Sequence, residues 1–399
     1  MSKPLRILYA VAPEDVIESY NYWSQGKDAP SQVSVFFSSQ FYEVCKALDA
    51  KGYVIAQSSK KEFLQSERFT VERRPVPFSK ASGIIYHLRQ IWCGLWLLSS
   101  ALRFRANVVV ADTGTTHWFV LSLFHWLGIR VILSLHCVLW CKYLPLRLGE
   151  KITFQLSRPL FSSQSQAMLA VSRDITQQII QLTEGKHPPI FEFFPTYRPF
   201  YFADIAEPDT KNSDVFRVLF AGRIETDKGV FDLLEIAKRF SFEGRKDIIF
   251  DICGEGSELE SLRFAAQESG VDASFICHGY CTKSQMKEMF NKAHAVIVPT
   301  RTEFIEGFNR VVSESILAGR PAVTSSVCPA AFYVQEAIIE VPPNDVKAYG
   351  DAVLKLCDNL ELYEQKRLAC LRVREQFYDT TKSWGMGLKH ILLAIQQEL

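Results

Sequence analysis

Two Rossmann-like α/β domains, each built on a parallel sheet, are what the sequence predicts, and three observations carry that prediction. Short apolar runs rich in Val, Ile and Phe alternate with longer amphipathic stretches along all 399 residues, the trace of repeated βαβ units. At roughly 150 residues per domain the chain is too long for one ordinary core. A cluster of breakers then divides it near the middle: Pro188-Pro189, the stretch from Phe194 to Pro199, and the polar run from Glu207 to Asp214.

In the first half the predicted strands are Leu5–Val11, Val108–Asp112, Arg130–Leu135 and Met168–Val171. In the second they are Phe216–Ala221, Ile248–Cys253, Ser274–Cys277, Ala295–Val298 and Pro321–Thr324. The expected domains are therefore residues 1–198 and 214–379. The final stretch, 380–399, carries Trp384 and a stripe of Leu388, Ile391, Leu392 and Ile395 at helical spacing, which predicts a closing helix that packs back on the first domain.

Composition narrows the function. Apolar residues make up 48% and charged residues 22%, the balance of a globular protein rather than a disordered one. Lys plus Arg total 45 against 44 for Asp plus Glu, so no overall field draws the molecule to nucleic acid, and any anion must be bound locally. The chain opens Met1-Ser2-Lys3-Pro4 and runs straight into its first apolar stretch without a signal-like segment, which reads as cytoplasmic. Ten scattered cysteines then read as reduced thiols. Two pairs, Cys137/Cys141 and Cys277/Cys281, lie beside His136 and His278; their spacing is not the usual C-x2-C of zinc sites, so packing is the preferred reading and no metal is expected.

One segment stands apart. Ile84, Ile85, Leu88, Ile91, Trp92, Leu95, Leu98 and Leu102 form a helical stripe that ends near Arg103 and Arg105. Such a helix either fills the space between sheet and neighbours or docks peripherally on the inner face of a membrane, with Lys60-Lys61 and Arg73-Arg74 as a basic rim. Its strongest apolar run is short of the ~20 residues that span a bilayer, and burial is the favoured reading.

Three loops of the second half carry the chemistry. After Val218-Leu219-Phe220-Ala221 comes Gly222-Arg223, then Lys228-Gly229, then an amphipathic helix. This places two cations at the carboxyl edge of a sheet near a helix N-terminus, where α/β folds bind phosphate. Next, Ile252-Cys253 leads into Gly254-Glu255-Gly256, two glycines that let a backbone approach a phosphate or ribose closely; the third glycine of the dinucleotide fingerprint is missing. The third and sharpest runs from Pro299 through Glu306-Gly307-Phe308-Asn309 to Glu314 and Gly319. If helix fills most of the gap between the two glutamates, their eight positions correspond to about 12 Å, too far apart for a carboxylate dyad but suited to gripping two ends of one long ligand.

In these residues the sequence resembles the retaining glycosyltransferases of family four, which have the GT-B fold: two Rossmann-like domains facing each other across a cleft. The match rests on Gly222-Arg223, Lys228-Gly229, Gly254-x-Gly256, the strand ending His278-Gly279, and Glu306-x7-Glu314, in order and at typical spacing. The resemblance implies a hexosyltransferase-type enzyme that moves a sugar, with retention, from a nucleotide diphosphate sugar. UDP is the preferred nucleotide, the donor is a co-substrate rather than a cofactor, and no metal is required. Residues 1–198 would bind the acceptor and residues 214–379 the donor. Arg223 and Lys228 would hold the diphosphate, Glu314 the ribose and Glu306 the sugar, while Gly307, Phe308 and Asn309 would offer backbone N–H groups. Gly254, Gly256, His278 and Gly279 would line the donor site, and His136, after Leu133-Ser134-Leu135, would lie beside the reacting sugar. Its other reading is a hydrogen-bonded core histidine.

Two departures stand out. Asn309 occupies a position where the family often has glycine, and Asn21 to Lys27 takes the place of the paired glycines that follow the first strand, leaving Gly26 as the residue to approach the phosphates. The acceptor, a glycan, glycolipid or small-molecule hydroxyl, is not legible; Tyr20, Tyr22, Trp23, Trp118, Trp140 and Tyr143 could stack on sugars or fill the core. A nucleotide-sugar epimerase on the same fold and a catalytically inactive nucleotide-sugar-binding subunit are the competing classes.

Overall fold

The structure, a computed structural model, describes residues 4–78, 81–208 and 214–398. Met1-Ser2-Lys3 of the opening, Asp209 to Ser213 of the polar run and the terminal Leu399 lie outside the described residues. The chain divides into two compact units. One comprises residues 1–139, 146–196 and 380–399, and the other residues 140–145 and 197–379.

The first unit runs β1 (Arg6–Val11), α1 (Val16–Ser24), α2 (Phe37–Ala47), β2 (Lys51–Ser58), β3 (Glu62–Gln65), β4 (Phe69–Pro75), α3 (Gly83–Phe104), β5 (Val108–Asp112), α4 (Ser122–Trp126), β6 (Arg130–Leu135), α5 (Leu148–Pro159), β7 (Ser165–Ala170), α6 (Arg173–Thr183) and β8 (Ile190–Glu192). Its eight strands lie in the order β3-β4-β2-β1-β5-β6-β7-β8, parallel except for β3 against β4. The central strands are Val-, Ile- and Ala-rich because both faces are covered by helices; all five residues of β5 are buried.

The second unit runs β9 (Phe216–Ala221), α7 (Val230–Phe242), β10 (Ile248–Cys253), α8 (Leu259–Glu268), β11 (Phe275–Gly279), α9 (Lys283–Lys292), β12 (Ala295–Val298), α10 (Arg310–Leu317), β13 (Ala322–Ser325), β14 (Ile338–Val341), α11 (Val346–Asp358) and α12 (Leu360–Val373). Its strands are all parallel, in the order β11-β10-β9-β12-β13-β14, the doubly wound arrangement whose direction reverses between β9 and β12. Loops leaving those two strands therefore open a crevice at the sheet's carboxyl edge. Beneath it lies a core that includes Val218, Leu233, Phe250, Ile297 and Val353.

The last helix, α13 (Trp384–Glu398), belongs to the first unit and packs on α2 and β7. Trp384 is fully buried, with its ring 5.1 Å from that of Tyr9, and the Gly385 N–H donates to Gln40 Oε1 at 2.8 Å. A side chain at Gly385 would meet Gln40 at about 3.0 Å, so glycine lets the helix lie close.

Two expectations fail here. The α3 stripe is not buried: Ile84 is 78% exposed and Ile85, Leu88, Trp92, Leu95 and Leu102 are also exposed, while Gln90, Cys93, Gly94, Leu97, Ser100 and Ala101 face the sheet. Small residues sit on the inner face where the helix lies tight on its neighbours; a Cβ at Gly94 would come within 2.4 Å of Thr116 Oγ1. The second failure concerns the loop after β1, which is Ala12 to Asp15, not 21–27. Asn21 to Ser24 are the last residues of α1, with Asp15 capping its N-terminus through Glu18 N–H. Gly26 adopts φ 71° just past the helix end, about 13 Å of helix away from the β1 loop, and has no place at its carboxyl edge.

Candidate functional site

In the second unit, the loops after β9, β10 and β12 converge at the point where strand order reverses. The β9 loop passes Arg223, makes a 3-10 turn over Thr226–Lys228 and enters α7 through Gly229, whose φ of 75° only glycine adopts at no cost. Ile224 is buried and anchors the loop: its N–H donates to Glu255 O at 2.9 Å and its carbonyl accepts from Glu258 N–H at 3.1 Å. The Glu225 carboxylate accepts from Ser257 N–H and Oγ, and these two bonds hold its pKa below the usual carboxylate value.

At three of the loop glycines a second stretch of backbone comes close. A Cβ at Gly254 would stand 1.7 Å from Gly222 O, at Gly256 2.1 Å from Ile224 O, and at Gly229 2.2 Å from Pro299 O. The close approach these glycines permit is of one loop backbone to another.

Over this base sit the charges. Lys228 Nζ lies 2.8 Å from Glu306 Oε2 and 3.5 Å from the centre of the Phe304 ring, and the Arg223 guanidinium lies 5.4 Å from that centre. Glu306 also accepts from Gly307 N–H at 3.2 Å and from Asn309 Nδ2 at 3.0 Å. Asn309 adopts φ 69°, the left-handed conformation that asparagine tolerates better than most residues, at the residue just before α10. Phe308 is buried against Tyr333 and Phe377, so its side chain anchors the loop and only its backbone serves the crevice.

Glu314 lies one turn into α10. Because that helix begins at Arg310, only four helical steps, about 6 Å, precede Glu314, and the 12 Å spacing expected for the pair does not apply. Burial pushes the Glu314 carboxyl up to about 7, against the opposing effects of the Arg310 charge and a hydrogen bond with the Tyr197 hydroxyl. Tyr197 is itself fully buried, 2.8 Å from Ser313 Oγ, and burial holds its pKa well above normal. Nothing in the sequence singled Tyr197 out except its place among the breakers.

His278 and Gly279 end β11. The imidazole Nε2 is 2.8 Å from Asp251 Oδ1, Arg217 donates to both oxygens of that carboxylate at 2.8 Å, and Gly279 O accepts from Gly254 N–H at 2.8 Å. His278 is thus tied into a network across β9, β10 and β11.

His136 belongs to the first unit, directly after β6. Its Nε2 lies 3.0 Å from Asp112 Oδ1 and 2.7 Å from Ser134 Oγ, and its ring centre is 4.5 Å from that of Phe37. Asp112 is buried and also accepts from the Tyr9 hydroxyl and Ala12 N–H. The Trp384 indole N–H donates to Ser134 Oγ at 2.9 Å. A buried carboxylate facing Nε2 favours the tautomer with the proton there and leaves Nδ1 as the acceptor. The sequence could have found Asp112, a carboxylate ending an apolar strand, but held no signal for the Trp384 bond across 250 residues.

Of the candidate sugar-stacking aromatics, Trp118 is core, packed on Phe161, while Tyr20 and Trp23 join Tyr42 and Phe69 in a ring cluster. None of the ten cysteines is joined in a disulfide. Among the described residues no group of three or more His, Cys, Asp or Glu could hold a metal ion.

Two facing requirements, a doubly wound sheet and a cationic crevice at its reversal point, define a protein of the sugar-nucleotide-dependent transferase class with the GT-B fold. Residues 202–367 match the family model described as Glycosyl transferases group 1, and residues 38–186 match that described as Glycosyltransferase Family 4. The chain belongs to the family-four glycosyltransferases. It is 29% identical over 150 residues to the alpha-D-kanosaminyltransferase of Streptomyces kanamyceticus, covering 37% of this chain and 38% of that protein. It is 23% identical over 317 residues to the 2-deoxystreptamine N-acetyl-D-glucosaminyltransferase of Streptomyces fradiae, covering 72% and 73%. Among solved structures it is similar to sucrose-phosphate synthase from Thermosynechococcus elongatus, with a TM-score of 0.72 at 12% identity over 99% of this chain and 100% of that one. It is similar also to HepE from Anabaena in complex with UDP, with a TM-score of 0.65 at 12% identity over 99% and 100%. No helix among the described residues is long and apolar enough to cross a membrane.

Proposed function

We propose that the protein transfers a sugar from a UDP-sugar to a hydroxyl of a glycan, glycolipid or small-molecule acceptor, with retention at the anomeric carbon and without a metal ion. The observation that carries this reading is the Lys228–Glu306 pair, 2.8 Å apart beside Arg223 at the strand-order reversal. A diphosphate entering that crevice competes with Glu306 for Lys228. Binding then places two cations on the leaving group and frees the Glu306 carboxylate to accept from sugar hydroxyls. Backbone N–H groups of Gly307, Phe308 and Asn309 at the start of α10 add to the anion's stabilisation.

In the reaction the anomeric carbon's bond to the phosphate oxygen breaks, its bond to the acceptor oxygen forms on the same face, and the acceptor proton passes to the departing phosphate. Positioning and charge stabilisation supply the rate, and no enzyme nucleophile is needed. Arg223 and Lys228 neutralise the diphosphate where other enzymes use a divalent ion. Glu314 holds the ribose hydroxyls, and Gly254, Gly256, His278 and Gly279 shape the wall behind them. Uridine is supported by the UDP complex of HepE, and a polyhydroxylated small acceptor by the 2-deoxystreptamine named for one relative. Ten cysteines without a disulfide among them suit the reducing cytoplasm, where sugar nucleotides are made.

The test is calorimetric titration of the protein with UDP, GDP and NAD in EDTA, alongside Lys228→Met and Glu314→Ala. Binding of UDP, weakened at least tenfold in both variants, is the expected result. Binding of NAD in place of either diphosphate, or UDP binding that needs added divalent metal, would overturn the reading.

A further inference from the structure

The outer face of α3 is amphipathic the wrong way round for a helix of a water-soluble fold. Its polar and small residues, Gln90, Cys93, Gly94, Ser100 and Ala101, face the sheet. Leu97 is buried with them, but most of the helix's large apolar residues face away: Ile84 at 78% exposure, Leu88 at 60% and Trp92 at 58%. A surface helix normally buries its apolar stripe, because each such side chain gains about 1.5–3 kcal/mol on leaving water. The exposed stripe has company. Helices α3, α4 and α5 all pack at the turn Trp118–Leu121, and α4 and α5 also present apolar side chains outward, Trp126 from the one and Leu148, Ile152 and Leu156 from the other. Apolar surface gathered in this way marks an interaction site.

Charge decides what covers it. From Gly83 to Arg105 the chain carries Arg89, Arg103 and Arg105 and no acidic residue. A second copy docked through the same face about a two-fold axis would set arginines near arginines. An anionic lipid surface accepts both the cations and the apolar side chains, and the exposed Trp92 on the stripe suits the boundary between headgroups and acyl chains. The 22-residue helix is about 33 Å long and lies flat on its unit, so it can rest in the interface along its length. It does not cross: no described helix is long and apolar enough.

We propose that α3, flanked by the outward residues of α4 and α5, docks the protein on an anionic bilayer. The proposal does not depend on which nucleotide or sugar the other unit binds. It is tested by sedimenting the full chain with vesicles of phosphatidylcholine alone and of an equimolar mixture with phosphatidylglycerol. The wild type should pellet with the anionic vesicles and much less with the neutral ones. Ile84→Glu with Leu88→Glu should lose at least tenfold in partitioning, and Trp92→Ser should weaken it in the same direction. Arg103→Gln and Arg105→Asn should each lose about fivefold on anionic vesicles, asparagine being chosen because Arg105 has φ 54°. All these side chains are solvent-exposed, so urea midpoints should stay at the wild-type value and show that loss of binding is not loss of fold. Failure of the wild type to pellet with anionic vesicles, or equal binding by the Ile84/Leu88 variant, overturns the proposal. A wild-type dimer in light scattering that the same variant dissolves, without vesicle binding, assigns the face to a second copy instead.

Discussion

Glu314→Gln tests whether burial around this carboxylate, proposed above to hold the ribose, stores free energy. Burial raises the wild-type carboxyl from 4.5 to about 7 in the folded protein. Its folded pKa therefore lies above its unfolded one, and the fold favours the protonated form. That contribution is fully present below pH 4.5 and is lost as pH rises through 7. A shift of about 2.5 units corresponds to roughly 3 kcal/mol as a ceiling, at about 1.36 kcal/mol per unit. The side chain keeps some contact with solvent, so about 1–2 kcal/mol is the working expectation. Glutamine preserves the shape and the hydrogen bond with Tyr197 but cannot ionise. Urea unfolding at pH 5, 6, 7 and 8 should show the variant's stability rising relative to wild type by that amount between pH 5 and pH 8. The ligand gives the mirror image. UDP-glucose carries a diphosphate diester that does not titrate in this range, so its wild-type affinity should increase from pH 6 to 8 as Glu314 ionises, whereas the variant's should stay flat and weak. A stability difference that does not change with pH would refute the argument that burial governs this carboxylate.

The remaining predictions concern the supports of the site. Trp384→Phe keeps the contact with Tyr9 but removes the N–H donated to Ser134, and should cost about 1–2 kcal/mol in urea unfolding; histidine NMR should report a changed environment for His136 if the chain of contacts from Trp384 reaches it, and an unchanged one if the tryptophan only packs. Gly254→Ala places a methyl 1.7 Å from Gly222 O, so the two loops must separate; UDP affinity should fall at least tenfold by calorimetry, with the unfolding midpoint lowered as well.

Much of this architecture was legible because the strands that carry it are apolar on both faces. Val108–Asp112, Arg130–Leu135, Phe216–Ala221, Ile248–Cys253 and Ala295–Val298 occupy the residues the sequence pattern assigns them. Strands that carry charge were not legible. In β4, Glu72, Arg73 and Arg74 hide a strand whose Arg74 is buried between Glu72, Ser100 and the Trp96 ring. In β2, Lys51 and Gly52 open a strand that burial pattern, not composition, defines. α3 misled because helical periodicity gives a stripe but not the side it faces; Gly94 and Ala101, the small residues that let one face lie tight, were the signal to weigh. In the crevice, motif spacing gave the residues but not their partners. The Lys228–Glu306 pair and the Tyr197 contact with Glu314 join positions 78 and 117 residues apart in the chain.

The mutual fit of the glycine loops has a consequence for redesign. Gly222 and Ile224 offer their carbonyls into the spaces left at Gly254 and Gly256, as Pro299 does at Gly229, so the three crossings behave as one moulded part. Exchanging a single loop with that of a related enzyme to alter donor choice would pair mismatched halves of that mould. Segments 222–229, 254–257 and 299–309 are the unit of exchange, and a chimera that moves them together keeps the contacts on which each depends.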